Sequence, residues 1–81
     1  MIIITKIQLW LFIVESNVEI SDFNIKGQRV NTLTNEFYQK GDHKVSWNGA
    51  DELNKSVSPG VFFCRVEAGN KSTTKKLLLL K

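Results

Sequence analysis

The chain has 81 residues, a formal net charge of +3, 42% hydrophobic and 23% charged residues, and a single cysteine. This composition argues against disorder and against a membrane-embedded body, and a chain this short buries only roughly 60% of its unfolded surface, so its core must be thin. One cysteine excludes an intrachain disulfide and a thiolate metal cluster.

The opening stretch MIIITKIQLWLFIVES is apolar but does not read as a signal peptide: no basic segment precedes the isoleucines, Gln8 interrupts the run, and no small-x-small cleavage site follows. It reads as a strand from about Ile3 to Val14. Ile7, Leu9, Leu11 and Ile13 share one face, and Gln8, Trp10, Phe12 and Val14 the other. Both faces are largely apolar, which predicts a strand covered on both sides or packed against a neighbouring domain. ESN then turns the chain.

NVEISDFNIKGQRVNTL has the pattern of a hairpin. Val18 and Ile20 point inward, Gly27 is free to take a positive φ in the turn, and Val30 and Leu33 return to the core. Asp22 breaks the alternation. A carboxylate facing an apolar interior costs several kcal/mol unless paired, so a bulge that re-aims Phe23 is expected here. A turn at Gly41 and Asp42 then leads into a strand with His43, Val45 and Trp47 on one face and Lys44 and Ser46 on the other. Trp47 is the natural centre of the core, since burying such a side chain contributes about 1.5–3 kcal/mol or more.

NGADELNKSVSPG, which includes Gly49, is the longest connection and is dense in turn residues. VFFCRVEAG and NKSTTKKLLLLK follow as a second hairpin, with Phe62, Cys64, Val66 and Ala68 facing inward and AGNK, containing Gly69, reversing the chain. A final KKLLLLK is too short to cross a bilayer, which takes about 20 apolar residues, and so must be paired inside the fold or displayed to a partner. Five to seven short antiparallel strands predict an all-β fold, a small immunoglobulin-like sandwich without its disulfide.

Charge is uneven along the chain. Lys71, Lys75, Lys76 and Lys81 fall in a final stretch that contains no acid. They flank an aliphatic strand, and there is no arginine-rich stripe, so edge protection explains them better than nucleic-acid binding. Other candidate chemistry is weak. Cys64 and His43 form a catalytic pair only if brought within hydrogen-bond reach, and Cys64 lies in an apolar alternation that favours a buried, inert thiol. Asp51, Glu52 and Asn54 invite a calcium loop but lack acids at the alternating positions such a loop needs. Asn70 to Ser72 matches a glycosylation sequon, a pattern common by chance. Trp10, Tyr38 and Phe63 are the aromatics that a sugar platform would use, and interdomain packing is the plainer role for them.

The landmarks in order, VEISDFNIKGQRVNTL, GDHKVSWNGADELNKSVSPGVFFCRVEAGN and KKLLLLK, resemble the C-terminal sorting domains of the type IX secretion system of Bacteroidetes. They are similar also to the immunoglobulin-like domain of the flagellar hook-capping protein. The resemblance runs from about Thr5 to Lys81 through Val18, Ile20, Gly27, Val30, Leu33, Gly41, Val45, Trp47, Gly49, Asp51, Val57, Gly60, Phe62, Gly69, Lys76 and Lys81. Asn54 stands where a loop glycine is usual, Asp22 where an aliphatic residue is typical, and Phe62 and Cys64 replace two tyrosines.

The resemblance implies a non-catalytic signal, needing no cofactor and no small-molecule substrate, that rides on an upstream cargo as a piece of a longer secreted protein. Its implied partners are a secretion shuttle, the outer-membrane translocon and a sortase that attaches the cargo to surface lipopolysaccharide. The implied route runs through the periplasm to the cell surface or beyond. Gly60, Phe62, Lys76, Leu78, Leu80 and Lys81 are the implied recognition residues, with the tail read by strand addition or in an apolar groove. Val18, Ile20, Val30, Leu33, Val45, Trp47, Cys64 and Val66 are the expected core, and Gly27, Gly41, Gly49 and Gly69 the expected turns. The alternative is a structural interaction module of the hook-capping type.

Overall fold

The computed structural model describes residues 7–80. Six strands run in chain order: β1 Ile7–Ile13, β2 Ser16–Phe23, β3 Arg29–Tyr38, β4 Gly41–Trp47, β5 Gly60–Ala68 and β6 Lys71–Leu79. β1 pairs with β4 in a two-stranded sheet, while β3, β2, β5 and β6 lie side by side, in that order, in a second sheet. All pairings are antiparallel. The fold is the small immunoglobulin-like β-sandwich that the alternation predicts.

The two sheets close on one core. Leu11, Ile13, Val45 and Trp47 of the small sheet meet Val18, Ile20, Phe62, Cys64, Val66, Leu77 and Leu79 of the large one. Trp47 packs edge-on to Phe62 with ring centroids 5.1 Å apart, an arrangement that matches the ring's positive edge to the other's negative face. Val30 and Leu33 are only half-buried and pack against this core from β3. Both lie at register shifts, between the pairs Ile20–Thr34 and Ser21–Thr32, and between Asp22–Asn31 and Phe23–Arg29. Each is the extra residue of a bulge, so the bulge expected at Asp22 is replaced by two that belong to β3 and not to β2.

Several expectations are corrected. The opening strand is described from Ile7, and its expected first residues, Ile3 to Lys6, lie outside the described residues. It is not covered on both sides: Trp10, Phe12 and Val14 are exposed, Trp10 by 68%. The chain bends at Val14 and Glu15, and Ser16 and Asn17 already belong to β2. Gly41 does not sit in the turn; it opens β4 opposite Ile13, and the reversal falls on Gln39 and Lys40. Pairing to β1 reaches back that far because the β1 strand runs unbroken to Ile13.

Asp22 contradicts the expectation most directly. It pairs with Cys64 in a regular stretch of the β2–β5 ladder, next to the pairs Ile20–Val66 and Val18–Ala68, so its side chain points inward. The carboxylate is fully buried, and neither oxygen has a hydrogen-bond partner. Register carries it there: moving Asp22 outward by one residue would turn Ile20 and Val18 out with it.

Candidate recognition strand

β6 is positioned by three devices. The first is the β5–β6 hairpin, whose ladder runs from Ala68 opposite Lys71 to Gly60 opposite Leu79. Its turn is tied back to β2 by the Gly69 amide, which donates to the Asn17 carbonyl at 3.1 Å.

The second device is apolar burial of alternate leucines. Leu77 lies opposite Phe62 and Leu79 opposite Gly60, and both are buried, Leu79 to 1% exposure.

The third is the connection between β4 and β5, which folds over Leu79. Trp47 Nε1 donates to the Ala50 carbonyl at 2.8 Å, and Asn31 Nδ2 donates to the same oxygen at 3.1 Å. Gly49 between them takes φ +75°, and a Cβ built there would sit 3.3 Å from both terminal carbons of Leu79. Both the backbone conformation and the close approach therefore call for glycine. The spacing of Trp47 and Gly49 in the sequence thus has a mechanical meaning: it seats the end of β6.

What remains on view is the opposite row of β6. Leu78 and Leu80 are 61% and 67% exposed, and Lys76 is exposed across from Phe63. β6 also forms one end of the four-stranded sheet, so its outer edge is unpaired among the described residues. The leucine run is therefore split by the pleat, half anchoring the strand and half displayed. Of the sequence-predicted recognition residues, Gly60 and Phe62 belong to the anchoring row, while Lys76, Leu78 and Leu80 are displayed. Lys81 lies outside the described residues.

The outer face of the large sheet continues from this row. Phe23 lies between two guanidinium groups, Arg65 at 4.6 Å and Arg29 at 5.9 Å from its ring centroid. Each arginine is also paired to an acid, Arg65 to Glu67 at 2.9 Å and Arg29 to Glu19 at 3.6 Å. These surface pairs hold the arginines in place more than they add stability. The cation–ring contacts were not anticipated from sequence, although the alternation places Phe23, Phe63 and Arg65 on one face.

Other candidates are separated by the fold. Cys64 faces Asp22 in the core, whereas His43 packs tilted against Tyr38 with ring centroids 4.7 Å apart and donates from Nε2 to the Gln39 carbonyl at 2.8 Å. Burial, aided by the neighbouring Asp22 charge, pushes the Cys64 thiol up to about 12, so it stays protonated and unreactive. Asp51 Oδ1 is occupied by the amides of Leu53 and Lys55, both at 2.9 Å, in a turn where Asn54 takes φ 63° in place of the usual glycine. Among the described residues, no three His, Cys, Asp or Glu side chains group so as to hold a metal ion. Trp10 lies on the outer face of the small sheet and Phe63 on the outer face of the large one, so no shared aromatic platform forms.

One turn residue was missed. Asn24 Oδ1 accepts from the amides of Lys26 and Gln28, at 2.9 and 3.0 Å, and with Gly27 at φ +79° this shapes the β2–β3 hairpin. Asparagine at the start of NIKGQ is the signal that could have revealed it.

A family profile for the secretion system C-terminal sorting domain matches residues 3–80. The chain belongs to this family. No curated protein and no solved structure matches it. As a sorting domain of type IX secretion, the chain is a C-terminal export signal that engages that system's machinery on the way to the cell surface or the medium.

Proposed function

We propose that this sorting domain works as a folded, non-catalytic signal that presents its last hairpin to the outer-membrane translocon and a shuttle protein. It is carried at the end of a longer secreted cargo, crosses the periplasm, and is met by a sortase at the surface. The observation that carries this reading is the division of β6 into a buried row, Leu77 and Leu79, and a displayed row, Lys76, Leu78 and Leu80, along an unpaired strand edge. Strand addition to that edge supplies backbone hydrogen bonds, and the displayed leucines and lysine supply register. Met by a groove with apolar pockets, this row offers specificity without altering the core. A structural module of the hook-capping type is not favoured, because the family is one of sorting domains.

The test is a reporter exported to the periplasm and fused to residues 1–81, in a bacterium with this secretion system. The surface variant Lys76→Glu with Leu78→Ser and Leu80→Ser leaves Leu77 and Leu79 in the core and is expected to fold. Loss of surface delivery with folding retained is the expected outcome. Delivery at the parent level by the folded variant removes the proposal.

A further inference from the structure

Among the described residues, β1 has no strand partner on the side away from β4, and on that side it faces the inner surface of the large sheet across a groove. The groove is open, with a volume of about 530 Å³, walled by Trp10 to Val14 and floored by Val66, Ala68 and Thr73. The groove arises because the sandwich has two strands in one layer and four in the other. Thr73 and Lys75 face inward in register with Val66 and Cys64, and Lys71 with Ala68, yet all three β6 residues are exposed, since among the described residues no strand of the small sheet covers them.

Three features of this groove point to a strand as its occupant. In the small sheet, β4 carries the charged residues Asp42 and Lys44, the usual protection of an edge against unwanted pairing. Ile7 to Val14 carries none. The exposed outer row of β1, Trp10, Phe12 and Val14, is a half-made cross-strand surface that an added strand would extend. On the floor, Lys71 and Lys75 are spaced four residues along β6, about 13 Å. The single acid lining the groove, Glu15, lies past the end of β1.

We propose that this groove accepts one extended segment of an acidic partner, paired antiparallel or parallel to the free edge of β1. Side chains of the added strand alternate between the floor and the outer face. Acids at positions i and i+4 meet Lys71 and Lys75, a small residue at i+2 lies over Thr73, and apolar residues at i+1 and i+3 continue the Trp10 and Phe12 row. A second copy of the domain does not fit in the same way. Pairing β1 antiparallel to its own counterpart would bring a second four-stranded layer to the same side, and the overhanging β6 strands would collide. The site is separate from the displayed row of β6 and does not depend on the sorting role.

The test is titration of the isotope-labelled 81-residue chain with an eight-residue strand-forming peptide bearing glutamates at i and i+4, followed by backbone amide shifts. A peptide with lysines at those positions is the control. Expected are shifts confined to residues 10–15 and 71–75, slowed amide exchange along β1, and weaker binding as salt rises. The double variant Lys71→Glu, Lys75→Glu, both exposed, is expected to lose acidic-peptide affinity by about tenfold or more and to gain for the basic peptide. Absence of binding at millimolar peptide, shifts elsewhere, or equal affinity for the two peptides overturns the proposal. So does a dimer whose β1 amides are already protected without peptide. Failure of reporter delivery and failure of peptide binding are read in separate assays, so either can occur with the other intact.

Discussion

Replacing Asp22 by Asn should stabilise the domain at neutral pH, and the gain should disappear in acid. Burial pushes the Asp22 carboxyl up from 3.8 to about 6, and the Cys64 thiol beside it offsets this only in part. Because the folded-state value is raised, the folded protein binds a proton more tightly than the unfolded chain between these limits. Stability is therefore highest below 3.8, falls as pH rises through the interval, and levels off above about 6. At 1.36 kcal/mol per pH unit, the interval corresponds to about 3 kcal/mol. Asn keeps the shape but never ionises, so the difference between the parent and Asp22→Asn should open from near its acid baseline to about 3 kcal/mol by pH 7. In a domain of this size, each kcal/mol moves the melting temperature by about 4–8 °C. Urea unfolding followed by the fluorescence of buried Trp47, at half-unit steps from pH 3.5 to 7.5, measures it. Taking the difference between the two proteins cancels every contribution they share. A difference that stays flat across this range, or grows toward acid, refutes the assignment of Asp22 as a buried, desolvated carboxylate.

Cys64 should resist alkylation in the folded protein at pH 8 and react at a rate set by unfolding, read by mass spectrometry across a urea series; fast native labelling would show it is not in the core. Leu79→Ala should cost about 2–5 kcal/mol in chemical denaturation, whereas Leu80→Ala should change stability by less than about 0.5 kcal/mol. Gly49→Ala should destabilise more than Gly27→Ala, since both occupy positive φ but only the Gly49 position also meets Leu79; the αL backbone alone costs about 1–2 kcal/mol, and the thermal midpoints of the two variants give the comparison.

The two strands of the last hairpin were legible to different degrees. Alternation in VFFCRVEA identifies Phe62, Cys64 and Val66 as one row, because the pleat sends every second side chain to the same face. In KKLLLLK alternation says only that Leu77 and Leu79 differ from Leu78 and Leu80. Which pair is buried depends on register with β5 and on the loop that brings Gly49 and Trp47 over the strand end. Lys76 could be proposed for recognition only through family likeness, since a lysine on an edge strand carries no periodic signal.

Local pattern by itself determined that the chain is all-β, where its hairpins reverse, and which residues share a face, because side-chain direction repeats along each strand within a few residues. Only the tertiary structure decided that β1 leaves its sequence neighbour to pair with β4, that β6 lies at an edge, and that Asp22 faces Cys64. Those outcomes turn on pairing between segments far apart in the chain, where one strand's preference competes with that of several others. A carboxylate in the core is such a compromise: the ladder that buries Val18, Ile20 and Val66 outweighs the desolvation of a single group.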